Sequence, residues 1–225
     1  MSIRPLFVPD LGSDNFVKSI NIEFSWFPGF NISQKQKSIL SLHENIKLQT
    51  ALKNILEIST KSSNDIGKRS SAFNLMLRTK DNIYASVESF YQGSKVFENG
   101  GPYEDLYLKS SVDAKKDSRL KDSGKLIRFE FKSQSWGVDD HFYDWLYLIG
   151  LLQNKEIADY LLEFDGFTDI EFNPKKSYNC QAHSAALYIS AVRRGVNLEQ
   201  IKSPLIFKNI FPNNVLYKFN QAELF

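Results

Sequence analysis

Phe142, Trp145, Leu146, Ile149 and Leu152 recur at the spacing that lines one face of an α-helix. An apolar stripe of this kind has to be covered by other elements, so it sets the layout of the whole chain. A second helix is predicted over 181–194, with Ala182, Ala185, Ala186, Ile189 and Val192 on one side and Gly195 as its C-cap. Strand patterns are sparser. Residues 19–27 alternate polar and apolar, residues 72–78 and 82–86 flank the turn signal Lys80-Asp81-Asn82, and residues 126–131 alternate again. The expected fold is α+β and mainly α, a single domain with a small β-sheet built from 72–86 and 126–131.

The remaining segments are punctuated by turn chemistry. Residues 1–18 read as irregular, and residues 31–33 offer caps for a lysine-rich helix over 34–48. A short helix is predicted over 50–60, a loop over 60–67, and a helix over 86–97 that Asn99-Gly-Gly-Pro102 ends. Charged helices follow at 113–120 and 156–163, with a loop over 165–179. Residues 203–225 are aromatic-rich and expected to dock back. Residues 1–60 read as an N-terminal elaboration packed on the core, 61–200 as the catalytic domain and 201–225 as a C-terminal tail. A length of 225 residues suits one domain with such additions better than two full domains.

Composition narrows function by exclusion. With 28 basic and 26 acidic residues, the net charge of +2 excludes a strongly basic nucleic-acid coat. A single cysteine precludes an intrachain disulfide, and His43, His141, His183 and Cys180 lack metal-ligand spacing. No cofactor or metal is expected. The start has no signal-peptide pattern and no apolar run reaches 18 residues, so a cytoplasmic protein without a membrane partner is expected. Charge is uneven: residues 109–132 carry a net +4 and residues 137–171 a net −8. These segments form either adjacent patches or two solvated surfaces on opposite sides.

Three groups of residues can carry chemistry. In Glu88-Ser-Phe-Tyr-Gln92-Gly-Ser-Lys95, helical offsets of four and seven align a carboxylate, an amide and an ammonium. That set can grip a polar ligand, with Glu88 as acid or base, but it also fits an exposed helix with ordinary pairs. Asp169, Glu171, Asn173, Lys175 and Lys176 crowd a loop before a helix, where binding groups often sit. A turn-rich surface loop has the same pattern. Trp136 lies outside the regular stripe and can stack on a base or an adenine, whereas Trp145 and Phe142 belong to the core.

Ser86-Val-Glu88-Ser-Phe-Tyr-Gln92-Gly-Ser-Lys95 resembles the T-x-E-H-x-F-Q-A-x-K helix of the NADAR superfamily, and Asp81-Asn82 its preceding D-G turn. Ile170-Glu171-Phe-Asn173-Pro174 is similar to the later V-E-A-S-P segment, and the stretch from Leu187 to Arg193 to the closing helix. The longer segments from Leu56 to Ser62, Phe90 to Phe97, Phe142 to Tyr147 and Asp165 to Ser177 are similar to NADAR antitoxins encoded beside DarT-type toxins. Three positions depart from the pattern. Ser70-Ser71-Ala72 stands at the S-N-F entry, Ser89 replaces a histidine, and Lys175 or Lys176 falls where the family carries an aspartate.

The resemblance implies an ADP-ribosyl hydrolase, an N-glycosidase that removes ADP-ribose from guanine in DNA as the antitoxin of a DarT-type toxin. The implied partners are ADP-ribosylated DNA, ADP-ribose as product, and the cognate toxin. Glu88 is the implied acid/base, or a clamp on the ribose hydroxyls. Lys175, Lys176 and Lys95 are candidate amine nucleophiles, with pyrophosphate binding as the other use for them. Gln92, Asp169, Glu171 and Asn173 would orient the sugar, Ser71 falls at the family's entry motif, and Lys61 and Arg119 would meet phosphate. Two alternatives stay open: a small-molecule N-glycosidase of riboflavin-pathway type, and a module that binds ADP-ribose or the toxin without turnover.

Overall fold

The computed structural model describes residues 2–174 and 179–211. β1 (Ser2–Pro9) and β2 (Val17–Phe24) form an antiparallel ribbon, in register from Ser2 opposite Phe24 to Pro9 opposite Val17. Leu6, Ile22 and Phe24 face inward and pack on Ile39, Leu42 and Ile46 of α1 (Ile32–Gln49), which Asn31 caps by accepting from Gln34 N. The irregular start expected from the sequence is therefore a strand.

β3 (Ile55–Glu57) replaces the short helix expected over 50–60, and β9 (Gly166–Thr168) lies inside the expected loop. β3 and β9 pair in parallel, and Phe7 of β1 bridges Phe167 of β9 from the other side, giving the order β2-β1-β9-β3. At three residues each, β3 and β9 are too short to show a period in the sequence.

Asn64 caps α2 (Asp65–Arg69), and β4 (Met76–Arg78) and β5 (Tyr84–Ser86) form a hairpin turned at Asn82, whose φ is 68°. α3 (Val87–Gly93) follows at once. The expected helix stops there, because β6 (Lys95–Phe97) leaves to pair with β7 (Leu126–Phe131), which pairs with β8 (Gln134–Trp136). Hence 72–86 and 126–131 do not share one sheet. A 3₁₀ turn at Glu104–Leu108, α4 (Ser111–Lys116) and α5 (Arg119–Asp122) connect β6 to β7. Tyr107 of that turn lies over Gly93, where a Cβ would sit 2.6 Å from its ring. Glycine permits this approach.

α6 (Phe142–Gln153), α7 (Lys155–Leu161), α8 (Gln181–Arg193) and α9 (Pro204–Ile210) complete the chain. Every residue of α8 from Gln181 to Ala191 is buried, and Gly195 beyond it has a φ of 70°. α6 packs on α8 through Asp144, which is wholly buried and accepts from Ser184 Oγ at 2.6 Å. His183 Nδ1 lies 3.2 Å and His141 Nδ1 3.6 Å from its two oxygens. Burial pushes the Asp144 carboxyl up, but the two histidines outweigh it and hold the carboxyl well below the usual range. Trp145 Nε1 donates to Ile201 O at 3.0 Å, and Phe207 and Phe211 join the same core. The architecture is a single α+β domain. Among the described residues no helix is long and apolar enough to cross a membrane.

Candidate functional site

Ser86 starts α3 by accepting from Ser89 N, and Glu88 N donates to Ala72 O at 2.9 Å. Glu88 is only 4% exposed. Its Oε1 accepts from Gln92 Nε2 at 2.9 Å, and Gln92 Oε1 accepts from Lys95 Nζ at 2.7 Å. The three residues thus form one hydrogen-bonded chain, although Lys95 already belongs to β6. Lys115 Nζ of α4 approaches Glu88 Oε1 to 3.4 Å. Lys95 also stands 4.8 Å from the Tyr91 ring centre. Burial brings the Lys95 ammonium down to about 8; the Glu88 charge opposes this and the Lys115 charge adds to it. A fraction of Lys95 is therefore a free amine near neutral pH.

A second carboxylate reaches the same region through Gln181, at the start of α8. Gln181 Oε1 accepts from Ala72 N at 2.8 Å and Ser71 Oγ at 3.2 Å. Its amide donates to Asp169, whose Oδ1 also accepts from Glu171 N and Phe172 N at 3.0 and 3.2 Å. Burial, and then the nearby Glu57 charge, push Asp169 up to about 8, so it carries a proton at neutral pH. Burial, and then the Glu88 charge, push the Tyr143 hydroxyl far up. Asn179 donates to Tyr91 OH at 2.5 Å, on the same helix as Glu88 and Gln92.

Glu57 is itself buried, and burial pushes it up. It accepts from Ile170 N at 2.8 Å and from Thr168 Oγ1 at 2.6 Å. The Thr168 hydroxyl has one proton and gives it to Glu57, so it accepts from His43 Nε2 at 2.9 Å. Burial, then Lys47, lowers His43 to about 4 and keeps it neutral.

The other sequence-predicted residues are scattered. Lys175 and Lys176 lie outside the described residues. Glu171 pairs with Lys35 at 2.9 Å, and Asn173 stands just before Pro174 at the edge of the described segment. Lys61 meets α1 through its carbonyl, which accepts from Gln36 at 3.5 Å. Arg119 is held by Asp105 and Asp117 and lies 4.5 Å from the Tyr103 ring centre, so two carboxylates match its charge. Trp136 is corrected to a core residue. It is fully buried among Phe142, Trp145 and Phe207, with Lys208 Nζ 4.5 Å from its ring centre, and offers no face to a base.

Gln181, Glu57 and Lys115 were not singled out from the sequence. Only Glu57 carried a signal, as an acid inside the apolar run Ile55-Leu-Glu-Ile58. A polar cleft of about 340 Å³ lies between Pro102, Glu104 and the β7–β8 turn and is lined by none of these residues. Among the described residues no group of His, Cys, Asp and Glu could hold a metal ion.

The α+β domain, with its α3 helix following the β4–β5 hairpin, carries Glu88, Gln92 and Lys95 in one connected chain. Over residues 2–221 the sequence matches the model of the DarT1-associated NADAR antitoxin, and the chain belongs to that family. No curated protein matches it.

Proposed function

We propose that this protein hydrolyses the N-glycosidic bond between ADP-ribose and the exocyclic amine of guanine in DNA, and so acts as the antitoxin of a DarT-type toxin. The observation that carries this reading is the Glu88–Gln92–Lys95 chain, in which a half-buried amine of lowered basicity is linked through an amide to a buried carboxylate.

In this reading the adduct first opens at the sugar. The C1″–O4″ bond breaks, O4″ takes a proton, and C1″ becomes an imine of the guanine amine. The Lys95 amine adds to C1″. Glu88 carries two protons in turn from the lysine nitrogen to the guanine nitrogen, the first giving the diamine at C1″ and the second letting the C1″–N bond break, so that guanine leaves as the neutral amine and Lys95 is left as the imine. Water then adds to the lysine imine and releases ADP-ribose, so the net reaction consumes one water. Lys95 is preferred because its surroundings lower its basicity; Lys175 and Lys176 remain candidates for the same step or for the pyrophosphate. Gln92 holds donor and acceptor in register, and Asp169, protonated, can donate to a sugar hydroxyl.

The test is a time course on an oligonucleotide carrying guanine-linked ADP-ribose, with thymidine-linked ADP-ribose as control. Loss of the guanine adduct alone, abolished by Glu88→Ala, is the expected result. Borohydride added during turnover should leave a mass adduct on the peptide containing Lys95. Tight binding without turnover would instead indicate a module that recognises ADP-ribose or blocks the toxin. Release of ribose phosphate from free pyrimidine intermediates would indicate a small-molecule glycosidase.

A further inference from the structure

The buried Glu88 carboxylate has two lysines near it, and only one of them pairs with it. Lys115 Nζ approaches Oε1 to 3.4 Å. Lys95 ends instead on the neutral amide of Gln92, 2.7 Å from its oxygen. Among the described residues Lys115 is the one cation within ion-pair distance of Glu88, and Glu88 is the one carboxylate so close to Lys115. A buried charge is costly unless it is paired, so a carboxylate in this position recruits whichever cation can reach it.

The fold brings Lys115 to that position from outside α3. Ser110 caps α4 by accepting from Asp113 N. Ser111 Oγ donates to Phe73 O at 2.6 Å and lies 2.8 Å from Ser86 Oγ, the cap of α3. Ala114 is fully buried, which seats α4 against the domain. The Lys115 side chain then runs inward, with Nζ 4.9 Å from the Phe73 ring centre. Its length is otherwise open to solvent, with 56% of the side chain exposed.

We infer that Lys115 is a positioning residue: as the counter-ion of Glu88 it spares Lys95 from that pairing and leaves Lys95 on Gln92 as a usable amine. The value of a free amine here rests on the proposed hydrolase activity. Without Lys115, the nearest cation for Glu88 would be Lys95, which the pairing would hold as an ammonium.

The surrounding charges agree. Burial is the main cause that lowers Lys95; the Glu88 charge opposes it and the Lys115 charge adds to it. The other elements packed on α3 and β6 bring mostly rings: Tyr107 from the 3₁₀ turn, Tyr143 from α6 and Phe129 from β7. Burial holds both tyrosines protonated at neutral pH. The charged groups of these elements face other partners. Asp144 of α6 faces His183 and His141, Asp105 of the turn faces Arg119, and Arg128 and Glu130 of β7 pair with each other.

The test measures the pH at which Lys95 is half free. Trace acetic anhydride labels the unliganded full chain from pH 6 to 10.5, and the peptide containing Lys95 is read by mass spectrometry. Lys115→Gln should raise that midpoint by about 0.5 to 1, and Lys115→Arg should leave it in place. On the guanine-linked adduct, kcat of Lys115→Gln at pH 7 should fall about three- to ten-fold, the loss of free amine that such a rise brings. KM should stay within about two-fold, and kcat should approach the wild-type value at pH 9.5. An unchanged midpoint overturns the inference. So does a raised KM at unchanged kcat, the mark of a phosphate contact, or a loss of kcat that persists at pH 9.5. The labelling needs no substrate. A raised midpoint in Lys115→Gln beside a wild-type chain that leaves the adduct intact would sink the hydrolase reading and leave the pairing of Glu88 with Lys115 standing.

Discussion

Lys95 donates to Gln92 Oε1 at 2.7 Å, and this bond fixes which way round the Gln92 amide sits. With its oxygen on Lys95, the amide nitrogen must face Glu88, and it does so at 2.9 Å. Gln92→Leu keeps the bulk and removes both bonds. Turnover of the guanine adduct should fall about ten- to a hundred-fold, since Glu88 and Lys95 lose their common support. A Gln92→Leu chain that turns over like wild type would show that the amide is only a packing group.

The Glu88 charge keeps Lys95 from falling further below its ordinary basicity. Glu88→Gln removes that charge, so the Lys95 midpoint should drop below the wild-type value of about 8. Carbon-13 spectra of methylated lysines, recorded across pH 6 to 10, would show one early-titrating lysine moving to lower pH. A midpoint that rises or stays put would contradict the placement of these groups.

Asp169 holds a proton in the fold well above the pH at which an unfolded aspartate loses it, because burial and then Glu57 push it up to about 8. The folded state then binds more protons than the unfolded state between about pH 4 and 8, so this group makes stability fall as pH rises through that window. Asp169→Asn is neutral throughout and can still accept from Glu171 N and Phe172 N. Thermal unfolding from pH 5 to 9 should show wild type and variant close together at pH 5 and the variant more stable at pH 8.5.

The opposite sign applies at Asp144. Its carboxyl stays ionised between His183 and His141, and Ser184 donates to it. Asp144→Ala leaves buried polar partners without an acceptor, and about 3 kcal/mol or more should be lost in denaturant unfolding at neutral pH. Wild type should also lose stability as the solution is acidified and this carboxylate is finally protonated.

Gly93→Ala would drive a methyl group into Tyr107 Cε1 and Cδ1 at 2.6 and 2.7 Å and towards Tyr103 O at 2.9 Å. The ring can yield only by disturbing its contacts with Phe90 and Ser94. A destabilisation of about 1–3 kcal/mol is expected, measurable as a lowered unfolding midpoint.

Local contacts were the ones visible in the sequence. The stripe from Phe142 to Leu152 and the alanine face of α8 repeat at the helical period, and Glu88, Gln92 and Lys95 lie close enough along the chain for spacing alone to suggest their alignment. β9 was not visible, because Gly166, Phe167 and Thr168 are too few to show any period. Gln181 was missed for a related reason: its partners Ser71 and Ala72 lie more than a hundred residues earlier. Trp136 was misread because its cover comes from Phe207 and Lys208, at the far end of the described chain.

β9 also dictates an order of events in synthesis. β1 and β3 leave the ribosome early, yet the strand that joins them is translated more than a hundred residues after β3. Until then both strands have open edges, which can pair wrongly with other chains. Closing so long a loop slows folding to the native sheet. Asp169 and Ile170, which reach Glu57 only when β9 is seated, follow directly behind it. A freshly made chain would therefore gain this arm of its site late, after every other strand of that sheet has been made.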